Sequence, residues 1–425
     1  MTGGKQIRAI KGVRDILPPE SALWEWFEQA ARQVLESYNF REIRLPIFEQ
    51  TELFARSVGV DTDIVAKEMY TFQDRDDTSV TLRPEATASV VRAYIEHGMH
   101  TRPGLVKLYY AGAMFRRERP QKGRYRQFYQ IGAEVLGPSD HPAIDAEVIE
   151  MLIVLLGRCG LDRWTLLVNS IGCSHCRPKY VEALRKALQP VKARMCEDCQ
   201  RRVETNPLRV LDCKVPADQP IIDRLPAIIE QLDAPCRAHF EEFQRQLRLR
   251  AIPYTITPRL VRGLDYYTRT TFEITSPVLG AQNALVGGGR YDGLSELLGG
   301  PPAKGIGFAL GEDRFIEAIK AAGRVIAERP LGVFIAWIGV AAYPVAVQLA
   351  RRLRAESFTV ELPPEEMKLK KSLGLADKLG ARYAVLLGED ELAAGSYVLR
   401  RLADGEQKKL SEAELVDYLK SQGSR

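Results

Sequence analysis

Residues 115–128 concentrate basic side chains in a pattern suited to holding phosphate groups. The segment surrounds one acid, Glu118, with six cations: Arg116, Arg117, Arg119, Lys122, Arg124 and Arg126. Its formal charge of +5 equals that of the whole chain, so the positive charge is concentrated here and the remainder is close to neutral. Phe115 and Phe128 stand at its two ends, which favours a loop that holds a polyanion and stacks a flat base.

Two predicted strands, 106–115 and 128–135, position this basic segment. Pro120 and Gly123 between them are typical of a turn. A basic run taken alone often forms a solvated surface, which is the alternative interpretation. Its place between two apolar strands favours a hairpin loop that is held ready for binding.

Polar residues also alternate along the second predicted strand. Gln130, Gly132 and Glu134 are two residues apart, so they share one face, and Gly132 leaves space between two polar side chains. A solvent-facing surface is the alternative interpretation. The glycine run 287–289 follows an apolar stretch and predicts a strand that a substrate can approach closely. It is not a P-loop, because no Gly-Lys-Ser/Thr follows.

Two Cys-x-x-Cys pairs, Cys173 with Cys176 and Cys196 with Cys199, are separated by 19 residues. This spacing is typical of a closed four-thiolate site and predicts one structural Zn²⁺ held by all four sulfurs. For that, a predicted helix over 178–188 must return the chain so that the pairs converge. Buried thiols without metal are the alternative.

The composition of the 425-residue chain changes twice along its length. We predict one domain formed by 1–172 with 251–325, a helical cysteine-bearing insertion over 173–250, and a separate α/β domain over 331–425. Apolar spacing predicts helices over 23–35 and 142–157, and Pro84 predicts the start of a helix over 85–97. In the last domain, helices over 345–357 and 372–380 alternate with strands over 358–362 and 383–388.

No apolar run approaches the roughly 18 residues that span a bilayer, and the first residues lack the apolar core of a signal peptide. We therefore expect a cytoplasmic protein with no membrane contact.

The motifs together resemble those of class II aminoacyl-tRNA synthetases. The basic hairpin is similar to their second signature motif, with Arg116 and Glu118 at its Arg and Glu positions. Segment 305–314 resembles the third motif, and 43–49 resembles the first, with Pro46 as its interface proline. The peptide Leu-Val-Arg-Gly-Leu-Asp-Tyr-Tyr at 260–267 resembles the histidine-specific peptide of the histidyl-tRNA synthetase family. With 81–87 and 287–293, the resemblance covers nearly the whole chain.

This resemblance implies an α+β catalytic domain built on an antiparallel sheet flanked by helices, with the helical insertion and a C-terminal α/β domain that binds the anticodon. It also implies ATP-dependent attachment of histidine to its tRNA through a histidyl-adenylate. The implied partners are L-histidine, ATP with Mg²⁺, the acceptor end and anticodon of the tRNA, and a second copy of the chain.

The resemblance also assigns residues to ATP. Arg116 would hold the α-phosphate, Arg314 the distal phosphates, and Arg262 would approach the reacting centre from the amino-acid side. Glu118, Arg124 and Phe128 would bind the nucleotide, with Phe128 stacked on adenine. Two interpretations compete with these roles: Arg262 paired with Asp265 or another acid, and Phe128 as a core residue.

The substrate histidine has an ammonium group and two ring nitrogens that need partners. The resemblance places Glu85, Thr87 and Gln130 around the ammonium. Glu134 and Tyr267 would lie near the imidazole, and Tyr266 and Tyr291 would line the pocket.

Two other functions fit parts of the pattern. A non-catalytic, histidine-sensing regulatory paralogue of a biosynthetic enzyme would keep the fold, but such proteins typically lose motif arginines and the C-terminal domain. Another class II synthetase, such as a prolyl or glycyl enzyme, would lack the peptide at 260–267. Arg116, Arg262 and Arg314 and that peptide are all present.

Overall fold

The computed structural model describes residues 6–60, 62–121, 123–280, 283–325 and 330–422. Lys122 of the basic hairpin lies outside these residues. The chain divides into two compact units, Met1–Ile326 and Ala327–Arg425.

Most strands of the first unit form one large sheet. In chain order the strands of this first unit are β1 (Arg41–Glu42), β2 (Phe48–Gln50), β3 (Tyr70–Gln73), β4 (Ser79–Leu82), β5 (Val106–Phe115), β6 (Gln127–Gly137), β7 (Thr165–Ser170), β8 (Thr255–Ile256), β9 (Thr268–Thr275), β10 (Ala284–Arg290) and β11 (Lys304–Gly311). Eight of them pair in the order β1-β5-β6-β11-β10-β9-β7-β8, while β2-β4-β3 form a small sheet. The large sheet is antiparallel except for its two edge pairs, β1 with β5 and β7 with β8. The predicted fold class is therefore confirmed.

Helices flank this sheet. They are α1 (Glu20–Ser37), α2 (Thr51–Val58), α3 (Thr87–Glu96), α4 (Pro142–Arg158), α5 (Arg177–Leu188), α6 (Glu197–Thr205), α7 (Gln219–Ile222), α8 (Ala234–Leu249), α9 (Leu294–Leu297) and α10 (Glu312–Ala321). A short π-helix spans Ile64–Glu68, and short 3₁₀ helices span Met99–Thr101, Gln189–Arg194, Pro207–Asp212, Pro216–Asp218, Ile228–Gln231 and Pro277–Leu279. Helix α1 buries its predicted apolar face on the core, where Phe27 stacks on Phe315 of α10 with ring centroids 5.0 Å apart.

The basic hairpin forms as the alternating apolar pattern predicts. Strand β5 ends at Phe115, as expected, and β6 begins at Gln127, one residue before the predicted start. Arg116 closes the hairpin by donating its backbone N–H to the carbonyl of Arg126 over 2.9 Å. The two strands pair along their whole length, so the basic loop projects from a rigid base.

Segment 173–250 is helical, as predicted, but it does not form a core of its own. Tyr180 and Leu184 of α5 and Phe243 of α8 belong to the same hydrophobic cluster as Val168 of β7 and Phe272 of β9. The segment therefore packs directly on the large sheet.

The second unit has an α/β fold. Its strands are β12 (Val333–Trp337), β13 (Val360–Glu361), β14 (Tyr383–Leu387), β15 (Tyr397–Arg401) and β16 (Gln407–Leu410), and its helices are α11 (Ala342–Ala355), α12 (Leu369–Lys378), α13 (Glu389–Ala394) and α14 (Glu412–Ser421). The sheet order is β13-β12-β14-β15-β16. The first three strands are parallel, because helices connect them, and the rest are antiparallel. No helix among the described residues is long and apolar enough to cross a membrane.

Candidate active site

Glu134 lies at the centre of a buried polar cluster on the large sheet. It is on β6, opposite Gly307 of β11, and is 1% exposed. Thr87 Oγ1 donates a hydrogen bond to Glu134 Oε1 over 2.7 Å, and Tyr291 Oη donates to Oε2 over 2.7 Å. A Cβ atom at position 307 would collide with the Glu134 carboxyl group. Glycine at 307 therefore makes the space that this acid occupies.

Burial raises the pKa of Glu134 to about 8, and the nearby Glu85 carboxyl acts in the same direction. The hydrogen bonds from Tyr291 and Thr87 favour the ionised form but only partly offset the burial. Burial therefore favours the protonated form of Glu134 more than is usual for a glutamate.

Glu85 caps helix α3 from outside its first turn. The helix was predicted to begin at residue 85 but begins at Thr87. The Glu85 carboxyl accepts hydrogen bonds from the backbone N–H groups of Thr87 (2.7 Å) and Ala88 (3.0 Å), and Tyr266 Oη donates to it over 3.4 Å. These donors fix its orientation, while burial raises its pKa.

Gln130 lies on the same face of β6 as Glu134 and is 9% exposed. Its side-chain oxygen is buried and has no hydrogen-bond partner among the described residues. Since a buried acceptor without a partner costs free energy, this oxygen is suited to receive a donor from a ligand. The alternative of a solvent-facing strand surface is wrong, because both polar side chains are buried.

Three tyrosine rings enclose this polar cluster. The ring centroids of Tyr266 and Tyr267 are 4.8 Å apart, and those of Tyr266 and Tyr291 are 5.9 Å apart. All three side chains are buried. Seven residues were predicted around histidine, and these hydrogen bonds and ring contacts link six of them. The seventh, Gln130, lies on the same face of β6 as Glu134.

Arg262 is held by an acid that the sequence analysis did not identify. Its Nη1 lies 3.0 Å from Oε2 of Glu273 on β9, and its guanidinium carbon lies 6.0 Å from the centre of the Tyr267 ring. Burial opposes its charge, but Tyr267 and Glu273 together raise its pKa. Asp265, the partner considered above, instead accepts a hydrogen bond from Asn206 over 3.0 Å. The only sequence signal for Glu273 is an acid within an otherwise uncharged run, 270–276.

The predicted strand over the glycine run is β10 (Ala284–Arg290). A Cβ at Gly287 would collide with the guanidinium of Arg262. The missing side chain therefore makes room for the arginine above the sheet.

The base of the hairpin joins a cation to an aromatic ring. The Arg116 guanidinium lies 5.3 Å from the centre of the half-buried Phe128 ring, and Arg116 Nε donates to the carbonyl of Pro84 over 2.9 Å. Further along the loop, Arg124 Nη1 lies 3.4 Å from Glu118 Oε2. The carbonyl of Pro84 thus connects the hairpin to the segment that carries Glu85.

Arg314 lies in the first turn of α10, directly after β11, as the motif predicted. Its Nη1 donates to the carbonyl of Ala284 over 2.9 Å. Burial lowers its pKa, the nearby Arg124 acts in the same direction, and Glu118 and Glu273 oppose them. The Arg314 side chain lies beside Gly123 of the hairpin loop, and its charge is influenced by Glu273, the partner of Arg262.

Sequence reasoning also missed Arg83, which is 6% exposed. Its guanidinium donates to the carbonyls of Leu45 (3.0 Å), Pro46 (3.2 Å) and Ala113 (2.9 Å). It thereby holds the turn before Glu85 against strand β5. Nothing in the surrounding sequence distinguishes this buried arginine from an exposed one.

The prediction of one four-cysteine metal site is wrong. Cys173 and Cys176 group with Asp233 and Cys236, whereas Cys196 and Cys199 group with Cys213 and Asp218. Helix α5 has 12 residues and carries the chain about 18 Å away from the first pair. Each pair instead meets a third cysteine and an aspartate from a later part of the chain.

The large sheet is mainly antiparallel, and three motif arginines lie around a buried polar pocket next to it. This architecture matches that expected of a class II aminoacyl-tRNA synthetase. Residues 12–314 match the family model described as "Histidyl-tRNA synthetase", and residues 332–422 match that described as "Anticodon binding domain".

Relatives of known name extend this match over nearly the whole chain. A histidine--tRNA ligase of Koribacter versatilis is 55% identical over 99% of this chain and 97% of its own. One of Solibacter usitatus is 57% identical over 97% and 99%, respectively. The crystal structure of apo S. aureus histidyl-tRNA synthetase is 39% identical, covers 98% of this chain and 100% of its own, and superposes with a TM-score of 0.83. The chain belongs to the histidyl-tRNA synthetase family.

Proposed function

We propose that this chain attaches histidine to its tRNA in two steps, through a histidyl-adenylate. The observation that carries the proposal is the buried polar pocket around Glu134, flanked by the Arg262–Glu273 pair. Family membership over nearly the full chain supports the same reaction.

In the first step an oxygen of the histidine carboxylate bonds to the α-phosphorus of ATP, and the bond from that phosphorus to the bridging oxygen breaks. Pyrophosphate leaves. No general base is needed, because the carboxylate is already ionised. The barrier arises from bringing two anions together, so fixed cations and positioning supply the catalysis. In the second step a ribose hydroxyl of the tRNA attacks the carbonyl carbon of the adenylate, and the bond from that carbon to the phosphate oxygen breaks. AMP leaves, and the hydroxyl proton passes to solvent.

Arg262 is proposed to act at the reacting centre, because it is half-buried, charged and beside the pocket. Glu273 is proposed as a positioning residue, since its carboxylate fixes the guanidinium at 3.0 Å. Arg116 and Arg314 are proposed to hold the α-phosphate and the distal phosphates. Arginine suits these roles because its planar fork matches phosphate oxygens and it does not lose its proton.

Histidine recognition is proposed to use two parts of the pocket. Glu85, Thr87 and the unpartnered oxygen of Gln130 would receive the ammonium group. Glu134 and Tyr267 would meet the imidazole, with Tyr266 and Tyr291 as walls. Such a site rejects analogues without the matching polar atoms, because its buried groups would lose their partners.

The adenine is proposed to stack on Phe128, and Glu118 and Arg124 would contact the nucleotide from the same hairpin. Mg²⁺, which the family implies with ATP, usually takes one or two carboxylates, substrate phosphates and water. Glu118 on the hairpin and Glu273 on β9 would supply such carboxylates; both favour the charged form of Arg314, the arginine proposed to hold the distal phosphates. When bound, Mg²⁺ would neutralise phosphate charge.

The domains predicted from the sequence are proposed to divide the work. Residues 1–172 with 251–325 would carry the chemistry, and 331–425 would read the anticodon, a role supported by the family model over 332–422. A homodimer is proposed around the Pro46 segment, and the cytoplasm is the proposed location. A regulatory role without catalysis is not favoured, because the motif arginines and the C-terminal unit are all present.

ATP–pyrophosphate exchange with each amino acid in turn tests the proposal. Histidine alone should drive exchange, and equal exchange with proline or glycine would contradict it. In parallel, a chain that ends at residue 325 should retain exchange while losing tRNA charging. Loss of both activities together would refute the separate roles of the two units.

A further inference from the structure

We propose that each of the two cysteine groups binds one structural Zn²⁺ through three thiolates and one aspartate. The first group is Cys173, Cys176, Cys236 and Asp233, and the second is Cys196, Cys199, Cys213 and Asp218. Within each group, one potential ligand atom from each residue lies within 4.8 Å of all the others. Nothing in the proposed reaction uses either group.

The spacing of the first group fits the edges of a zinc tetrahedron. Zn–S bonds of about 2.3 Å place two tetrahedral sulfurs about 3.8 Å apart, and a Zn–O bond of about 2.0 Å gives a sulfur–oxygen edge of about 3.5 Å. Cys173 Sγ lies 3.9 Å from Cys176 Sγ and 3.5 Å from Asp233 Oδ2. Both distances match, and the sulfurs are too far apart for a disulfide.

The second group repeats this geometry with an unrelated stretch of chain. Cys196 Sγ lies 3.9 Å from Cys213 Sγ, and Cys213 Sγ lies 3.3 Å from Asp218 Oδ2. The two groups differ in how far apart their residues lie along the sequence. Both groups therefore place two sulfurs 3.9 Å apart and a sulfur 3.3–3.5 Å from a carboxylate oxygen, close to the edge lengths of a zinc tetrahedron.

Backbone N–H groups already point at the sulfurs. Cys176 Sγ accepts from the N–H of Cys173 (3.2 Å), Cys173 Sγ accepts from that of His175 (3.4 Å), and Cys213 Sγ accepts from that of Val215 (3.4 Å). Such donors stabilise a thiolate and orient it toward a metal. They are of little use to a neutral thiol, which is a weak acceptor.

The donor set selects the metal. Three thiolates and one carboxylate in a compact four-atom group suit Zn²⁺, whereas Ca²⁺ and Mg²⁺ require oxygen donors. Four ligands also close the coordination sphere, which is typical of a structural site. A cavity of about 810 Å³ borders Cys173 and His175 at the first group.

Both groups are connected to the backbone of the histidine-specific peptide. Arg177, directly after Cys176, donates to the carbonyl of Tyr267 over 2.7 Å. Arg209, four residues before Cys213, donates to the carbonyl of Arg262 over 3.1 Å. The two zinc ions would therefore stiffen the supports of this peptide at Arg262 and at Tyr267.

The competing explanation is that each aspartate only serves the backbone. Asp233 Oδ1 caps α8 by accepting from the N–H of Cys236 over 2.9 Å, and Asp218 accepts from that of Cys196 over 3.1 and 3.3 Å. These bonds leave room for a metal bond on the same carboxylate. Asparagine distinguishes the two roles, because it caps helices as well as aspartate but is a poorer ligand.

Metal content of the full chain, purified without chelator, tests the proposal. We expect about two zinc ions per chain, and about one in each of the variants Cys236→Ser and Cys213→Ser. Cys159→Ala is the matched control, because Cys159 is a buried cysteine outside both groups, and it should keep two. Less than about 0.2 zinc with freely titrating thiols, or one zinc in the unaltered chain, would overturn the proposal.

A second measurement does not depend on how well the cysteine variants fold. Asp233→Asn and Asp218→Asn should each release one zinc to a chromogenic chelator about tenfold faster or more, with the other ion unaffected. Cobalt in place of zinc should give a tetrahedral thiolate spectrum. Unchanged release in both variants would refute aspartate ligation. These measurements require no turnover, so their failure would leave the proposed reaction untouched.

Discussion

The histidine pocket and the cysteine groups are both built from residues distant in sequence, but they are assembled by different means. In the pocket, neighbouring strands bring the residues together, so that Glu134 lies opposite Gly307 and Glu273 lies opposite Gly287. In the cysteine groups, the residues come from short helices and 3₁₀ helices, and no strand pairing sets their positions relative to one another. Strand register therefore fixes the residues of the pocket relative to one another, whereas the cysteine-bearing helices are held by packing on the sheet and, as we propose, by zinc.

The largest expected effect is at Arg262. Arg262→Gln should lower the single-turnover rate of adenylate formation by about 10²–10³, because a cation beside the developing charge is lost, while histidine affinity changes far less. Rapid-quench kinetics measures the rate, and equilibrium binding measures the affinity. Glu273→Gln is the matched variant and should have a smaller effect, since it loosens the arginine without removing it. An unchanged rate in Arg262→Gln would reduce it to a structural residue.

The next effect tests whether register alone shapes the pocket. Gly307→Ala should lower histidine-dependent exchange by about tenfold or more, because the added Cβ collides with Glu134. Gly157→Ala in α4 is the control, since a Cβ there meets nothing within 4 Å. That control should raise the free energy of unfolding by about 0.5–1 kcal/mol, because alanine favours a helix. Full exchange activity in Gly307→Ala would show that the pocket tolerates displacement of Glu134.

A smaller effect should appear where the two regions meet. Arg209→Gln removes the hydrogen bond to the carbonyl of Arg262 and should lower the kcat of exchange about fivefold, with zinc content unchanged. Arg201→Gln on α6 is the control, because Arg201 is half-exposed and pairs with Asp198 on the surface, where such pairs contribute little. Equal exchange activity in both variants would show that the contact from the cysteine-bearing segment does not contribute to catalysis.

The last effect is on stability rather than on rate, and it concerns the charge of Glu134. Its carboxyl pKa is raised from an ordinary value near 4.5 to about 8 in the folded chain. Between these values the folded state holds a proton that the unfolded state lacks, so the free energy of unfolding falls as pH rises. The slope from this group is at most about 1.4 kcal/mol per pH unit.

Urea denaturation between pH 5 and about 8 measures this dependence. Glu134→Gln cannot titrate, so its free energy of unfolding should fall less steeply with pH than that of the unaltered chain. Parallel curves for the two proteins would mean that Glu134 keeps its charge throughout and that burial does not control it.

Much of the fold followed from local patterns. The hairpin strands, the helix over α4 and the alternating elements of the second unit lie where apolar periodicity predicted them. The start of α3 was misjudged by two residues, because Pro84 suggested a first turn at Glu85, whereas the Glu85 side chain caps the helix from outside. A cap and a first-turn residue have the same composition, so pattern alone does not separate them.

The amino-acid sequence by itself determined which side chains are available for chemistry: the motif arginines, the alternating polar residues of β6 and the Cys-x-x-Cys pairs. Only the tertiary structure decided their partners. Glu273 joined Arg262, and Cys236 and Cys213 joined different pairs, because packing of distant segments sets these contacts. The pKa of Glu134 likewise depends on burial among residues far along the chain, and burial is a property of the folded chain rather than of any local spacing.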